Sequence, residues 1–412
     1  MPAPELPTRA GTMRERNLAL VLAEIARRQP VTRARLAEST GLTKTTVAAQ
    51  VAVLERLRLV EGAQPVREGS RGRPGAPISL ARGPVAALGL EVNGHYLAAC
   101  VVDPTGAVRL RDTVAGDNRG RDPGETLAAL GALARRLTAL GADIGLDVVG
   151  TAVALPGVRI GDRVNAPNLG WDAVPAAALL AGALPDQRLG LVVDNEANLG
   201  ALGELRYGAG QGAGSYLYLS GETGIGAGLV VDGDLFRGAH GAAGELGHVV
   251  VDPDGPACGC GGAGCLEQYA GLDAVMRAAG VPTAAGTPAR VGGPGDDPAA
   301  TSASRVAELL DRLGREDRQA RLAVERAGRG LGIALIGAVN LLDPDTVVLG
   351  GVHARLADHL IPPIEAALAR GGGRLRGRVP TVRASALGSE SAVRGAAATV
   401  LARVFADPLA IG

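Results

Sequence analysis

Apolar residues recur along this chain with two periods, and the period changes where the architecture is expected to change. In residues 17–28, Leu18, Val21, Leu22 and Ile25 return every three or four positions, one face of a helix that Pro30 stops. Two short helices around a tight turn are predicted next. Thr32 is placed to cap the first, which carries Leu36 and Ala37, and Gly41 supplies the permissive turn backbone. Thr43 caps the second, with Val47, Val51, Leu54 and Leu57 facing inward. The chain then runs through Arg67, Arg71 and Arg73, among glycines, to a short apolar strand at 78–80. From Val85 onward the period becomes that of strands. Runs at 85–92, 95–103 and 107–114, separated by turns at Asn93-Gly94 and Pro104-Thr105-Gly106, predict a three-stranded meander. A helix over 125–140 and an apolar strand near 147–155 follow.

A second meander begins at Ser215 and ends at Phe236, and a helix over 321–340 and a strand over 346–349 come after it. Meander, helix and strand occurring twice predict an internal duplication with a ligand cleft between the halves. Residues 281–303 lack periodicity and read as a mobile surface loop. A last helix over 391–406 carries Val393, Ala397, Val400, Leu401 and Val404 on its apolar stripe. The fold class is therefore α/β: a winged helix-turn-helix over 1–80, then a two-lobed body over 81–412. Its first lobe spans 81–196, its second 197–390, and its closing helix 391–412.

Helix, turn, helix and basic wing, in that order, point to operator DNA. The outward residues Thr43, Lys44, Thr45, Thr46 and Gln50 are short or polar enough to reach base edges and phosphates, with Arg33 on the preceding helix. Arg71 and Arg73 would form a wing tip suited to a minor groove. The plain alternative is a three-helix interaction domain with an arginine-rich linker.

Composition narrows this. At 412 residues the chain is too long for one small core, and two or three domains are expected. Aromatic residues make up only 2%, so the core must be Ala, Val and Leu, and base-stacking platforms are not expected. No uninterrupted apolar run is long enough to span a bilayer, so a cytoplasmic location is expected. The formal net charge of zero hides an asymmetry: residues 1–80 hold 13 Lys and Arg against 7 Asp and Glu, and the rest holds 29 against 35. A basic front on an acidic body fits a nucleic-acid contact confined to the N-terminus.

The most specific chemistry lies between Gly244 and Glu267. Gly-Glu-Leu-Gly-His ends at His248, and ten residues later Cys-Gly-Cys-Gly-Gly-Ala-Gly-Cys supplies Cys258, Cys260 and Cys265. Three thiolates and one imidazole are the donor set of a closed tetrahedral Zn²⁺ site. Glu245 and Glu267 sit on the same stretch, where a metal loop would hold them fixed.

Helix-turn-helix, duplicated body, GELGH and CGCGGAGCLE together resemble the ROK family (repressors, open reading frames, kinases), over about residues 14–406. The resemblance implies an actin-like sugar-kinase fold, structural zinc on His248, Cys258, Cys260 and Cys265, and a sugar in the interlobe cleft. It assigns sugar contacts to Asn168, Asn195, Glu196, Glu245, His248 and Glu267, with His248 giving one ring nitrogen to the metal and one to the sugar. Taken alone, Asn195 and Glu196 also fit a helix N-terminus, Asn195 as cap and Glu196 favoured by the helix dipole.

Kinases of that family are expected to carry aspartate as the base after the asparagine, where this chain has Glu196. A displacement of about an ångström there costs on the order of a hundredfold in rate. Their first phosphate loop, Asp-x-Gly-x-Thr, corresponds here to Glu91, Asn93 and His95, whereas the Gly-rich loop from Gly221 to Gly228 and the pair Gly350-Gly351 are retained. The expected function is thus a sugar-responsive regulator, in the manner of xylose and N-acetylglucosamine repressors, whose cleft binds but does not phosphorylate. It would pair as a homodimer or dimer of dimers on DNA, with a monosaccharide or sugar-phosphate effector. A sugar kinase using ATP, and a regulator controlled by a partner protein, are the competing readings.

Overall fold

Leu18, Val21, Leu22 and Ile25 line the buried side of helix Ala10–Arg28, each 1% exposed or less. The computed structural model describes residues 10–63, 76–184, 187–222, 224–281, 298–371 and 377–412. Helices Arg33–Thr40 and Lys44–Arg56 flank Gly41, which sits at φ 70° in the left-handed region that ends a helix cheaply only at glycine. Thr32 accepts a hydrogen bond from the Arg35 amide at 3.3 Å, and Thr43 from the Thr46 amide at 3.1 Å, so both expected caps form. Strands β1 (Val31–Thr32), β2 (Val60–Gly62) and β3 (Pro77–Leu80) complete the unit as an antiparallel sheet in the order β1-β3-β2. The expected wing tip, with Arg71 and Arg73, lies outside the described residues.

The body is built twice from one plan. In the first lobe β4 (Val85–Val92), β5 (Tyr96–Val102) and β6 (Val108–Ala115) form the meander, and helix Pro123–Asp143 leads to β7 (Asp147–Leu155). Three short strands, β8 (Val158–Ile160), β9 (Arg163–Ala166) and β10 (Trp171–Val174), make a separate small sheet before β11 (Leu191–Asn195). The main sheet has the order β11-β7-β4-β5-β6, with β7 and β11 parallel to β4. In the second lobe β12 (Tyr216–Gly221), β13 (Ile225–Val231) and β14 (Asp234–Phe236) repeat the meander. Strands β15 (Thr346–Gly350) and β16 (Thr381–Ala384) repeat the parallel pair, giving β14-β13-β12-β15-β16. Both sheets therefore have the same topology, which is the duplication expected from the pattern.

Part of the segment expected to be a surface loop is helical: helix Pro298–Gly314 begins inside 281–303, and residues 282–297 lie outside the described set. Val306, Leu309 and Leu313, at helical spacing just beyond it, are buried in the second-lobe core. Their stripe is what makes the segment fold.

Two helices lie between the lobes. Glu196–Tyr207 packs on β12 and β13, Ser391–Ala406 packs on β4, β5 and β7, and the two pack on each other. They approach so closely at Gly395 that a Cβ there would collide with the Leu199 carbonyl oxygen. Glu204, fully buried, ties the pair together by accepting from Ser391 Oγ at 2.8 Å, the Leu387 amide at 3.1 Å and the Ala209 amide at 2.7 Å. One apolar cluster runs from Leu18 and Leu36 of the N-terminal unit through Val149 and Ala152 of the first sheet to Val400, Val404 and Ile411.

Candidate functional site

Strand β11 ends at Asn195, and helix Glu196–Tyr207 starts at the next residue, so the chain turns at the carboxyl end of a parallel strand. Crevices at such ends are where open α/β sheets bind ligands. A cavity of about 420 Å³ opens there between the lobes. The first lobe contributes Asn195, Glu196 and, from the turn Pro167–Leu169, Asn168. The second contributes Glu222 from the β12–β13 loop, Glu245 and His248 around the turn Leu246–His248, and Glu267 at the head of helix Glu267–Ala270. All six residues expected to contact sugar are thus brought to one cavity.

Their hydrogen bonds show what each has left to offer. Asn195 is a helix cap: its Oδ1 accepts from the Ala197 and Asn198 amides at 2.8 and 3.1 Å, and its Nδ2 donates to the Gly157 carbonyl at 2.7 Å. One amide hydrogen remains for a ligand. Glu196 accepts from Ser220 Oγ at 2.5 Å, and burial pushes its carboxyl above the usual range. Asp194 faces away, into a bidentate pair with Arg237 at 2.6 and 2.8 Å. Glu267 Oε2 accepts from the Ile225 amide at 3.2 Å. A Cβ at 224 would push aside Asn168 Nδ2 and stand 2.5 Å from Glu267 Oε2, so glycine lets both side chains close over the loop. Groups from the two lobes thus meet over a bare stretch of backbone.

The loop that in a kinase would face phosphate is filled instead. Asn93 and His95 are buried, and Asn93 Oδ1 takes the His95 amide at 3.1 Å. Tyr96 donates to Glu91 Oε1 at 2.8 Å, while Glu91 Oε2 is buried without a partner. Burial, then the neighbouring Glu196, push Glu91 well above the ordinary carboxylate range. Glu222 is pushed up to about 8 by the same two causes. Sequence reasoning takes the Gly-rich loop as retained and passes over Glu222; a carboxylate inside a loop of glycines is the signal that could have found it.

Beside the cavity, His248, Cys258, Cys260 and Cys265 offer four ligand atoms, all within 4.8 Å of one another. His248 Nδ1 is 3.8 Å from Cys258 Sγ, and Cys260 Sγ is 3.6 Å from Cys265 Sγ. A tetrahedral thiolate site with metal–sulfur bonds of about 2.3 Å has sulfur–sulfur edges of about 3.8 Å, so the four groups have the size of a metal tetrahedron. The cluster can hold a metal ion. The other ring nitrogen, Nε2, lies 4.0 Å from Glu245 Oε2, so one imidazole joins the metal cluster to the cavity wall.

The residues expected to meet DNA stand on the far unit, and two of them are differently engaged. Gln50 is 5% exposed. It lies three residues after Val47 and four before Leu54, on the apolar stripe, so it faces the core and does not reach outward. Arg33 pairs with Glu55 at 2.9 Å, bracing one helix on the next. Thr43 spends its hydroxyl as the cap, while Lys44 and Thr45 are exposed and Thr46 is half-buried.

The fold is shared with known proteins. The model of the ROK family matches residues 87–403. The chain is 28% identical over 340 residues to a xylose repressor of Bacillus spizizenii, covering 81% of each. It is 31% identical over 330 residues to a glucokinase of Streptomyces coelicolor, covering 75% of this chain and 96% of that one. Among solved structures, a ROK family transcriptional regulator described as a homologue of the E. coli Mlc protein superposes with a TM-score of 0.75 at 25% identity. It covers 97% of this chain and 98% of its own. A ROK family glucokinase from Streptomyces griseus in complex with glucose and AMPPNP gives 0.60 at 28% identity, over 76% and 98%.

Proposed function

The chain belongs to the ROK family, and we propose that it is a sugar-responsive DNA-binding regulator, a repressor of carbohydrate-utilisation genes, whose cleft binds its effector without phosphorylating it. One observation carries the reading. The helix-turn-helix shares a continuous apolar core with the body, and the helix that heads the cleft packs on the helix belonging to that core. The similarity to the glucokinases reaches about three quarters of this chain, whereas the regulator structure covers nearly all of it. Glu196 already commits one carboxyl oxygen to Ser220 Oγ and is one methylene longer than the aspartate expected of the kinases, which sets its carboxyl out of place for taking a proton from a sugar hydroxyl.

In this reading Zn²⁺ is held by His248, Cys258, Cys260 and Cys265 and fixes the loop that carries Glu245 and Glu267. Asn168, Asn195, Glu196, Glu245, His248 and Glu267 present amides, carboxyls and an imidazole to the alternating donors and acceptors of a sugar. Lys44, Thr45 and Thr46, together with Arg71 and Arg73, contact the operator. A homodimer reads two half-sites, and sugar changes operator affinity by its differential affinity for the two arrangements of the lobes.

The test selects a bound duplex from a random pool, then measures its affinity against salt with and without a panel of monosaccharides. Salt-sensitive binding that one sugar shifts at least about tenfold supports the reading. ATP-dependent phosphate transfer to any sugar, or indifference to all of them, overturns it.

A further inference from the structure

We propose that the cleft takes an uncharged sugar and refuses the phosphate esters of that sugar, with Glu222 as the residue that sets this selectivity. The inference rests on the sugar-effector reading and narrows it to one ligand class.

Phosphate is recognised by guanidinium or ammonium groups, or by free backbone amides at loops and helix N-termini. Among the described residues lining the cavity there is no Lys or Arg, and four carboxyl groups are present: Glu196, Glu222, Glu245 and Glu267. Several of the amides beside the cavity are already engaged. Those of Ala197 and Asn198 at the helix N-terminus go to Asn195, that of His95 goes to Asn93, and that of Ile225 goes to Glu267. The Glu222 amide closes its own loop onto the Gly224 carbonyl at 2.9 Å. Arg355 acts on Glu222 electrostatically, but it does not line the cavity.

Glu222 stands in the glycine loop and lines the cavity together with Glu196 and Asn93, while Glu91 is buried within electrostatic reach of Glu222. Burial, then the neighbouring Glu196, hold the Glu222 carboxyl at about 8, so it keeps its proton near neutrality. A protonated carboxyl donates one hydrogen bond, which suits a hydroxyl or ring oxygen. It leaves a phosphate dianion without countercharge in a partly desolvated place. The same argument refuses nucleotides. The protein then reads the sugar as uptake or glycoside hydrolysis delivers it, before a kinase acts on it.

The experiment titrates the full chain calorimetrically with pentoses, hexoses and amino sugars, each beside its phosphate ester. The free sugar is expected to bind at least about tenfold more tightly than its ester. In Glu222→Lys, which supplies the missing cation, that gap is expected to narrow to about threefold or less. In the native protein it should widen between pH 7 and pH 9, and in Glu222→Gln it should widen clearly less, which keeps the test open if the lysine variant does not fold. An ester bound as tightly as its parent sugar, or a gap indifferent to both substitutions and to pH, overturns the inference while leaving the sugar reading intact. Binding of neither class overturns the sugar reading itself.

Discussion

Ser220 Oγ lies 2.5 Å from Glu196 Oε1, so the carboxyl heading helix Glu196–Tyr207 is bonded to strand β12 of the other lobe. Glu196 is thereby a bridge between lobes as well as a cavity wall. Glu196→Ala is expected to weaken sugar binding at least about tenfold and to lower the sugar effect on operator affinity in proportion, with no phosphotransfer before or after substitution. Calorimetry and a coupled nucleotide assay measure the two effects, and unchanged sugar affinity would remove Glu196 from the site.

Cys260 is exposed, whereas Cys258 and Cys265 are buried. Removing either buried ligand leaves three donors, too few to close a tetrahedral site. Cys265→Ser is expected to lose stoichiometric zinc by elemental analysis and to lower the melting temperature by about 5 °C or more. A chelator should reproduce that loss in the native chain, and a metal-free protein of unchanged stability would show that the tetrahedron is not used.

Glu222 makes stability depend on pH in a definite direction. Its carboxyl sits at about 8 in the folded chain against an ordinary value of 4.5. The folded state therefore holds the proton more tightly than the unfolded chain. The stabilisation this gives is complete below about 4.5 and is lost as pH rises through about 8. Melting temperature is expected to fall between pH 5 and pH 9. Glu222→Gln should flatten the fall, by about 3 °C at the alkaline end, without abolishing it, since Glu91 and Glu196 are shifted the same way.

Lys44 and Arg33 separate two kinds of basic residue. Lys44→Ala is expected to weaken operator binding and to reduce the slope of log affinity against log salt by about 1. Arg33→Ala, losing an exposed pair with Glu55, should change operator affinity by about threefold or less. Filter binding across a salt series distinguishes them.

Gly395→Ala is expected to destabilise the chain by about 1–3 kcal/mol, because the added methyl meets the Leu199 carbonyl oxygen across the paired helices. Denaturant titration measures it, and a neutral result would mean that the helices can part at little cost.

Much of this architecture is legible in the amino-acid sequence. The meanders show themselves through turn residues between alternating runs, and the closing helix spans Ser391–Ala406 as its stripe indicates. The metal cluster is legible because thiolates and imidazole lie close along the chain. The small sheet β8 to β10 is not, since strands of three or four residues are too short to show a period. Gln50 misleads because its polarity suggests an outward role, although the spacing from Val47 and Leu54 already places it inward. Glu222 escapes notice for the opposite reason, as the glycines around it draw the eye to backbone. Its neighbours Glu91 and Glu196 are 131 and 26 residues away in the chain, and only folding makes their charges felt.

The apolar seam joining Leu18 and Leu36 to Val404 and Ile411 means that the head is bolted to the body and does not swing on a leash. The C-terminal helix packs directly on the first helix of the head, so a tilt of one is felt by the other through side chains in contact. In the dimer proposed above, with two such heads on one duplex, a ligand would adjust their stride while each head keeps its own form.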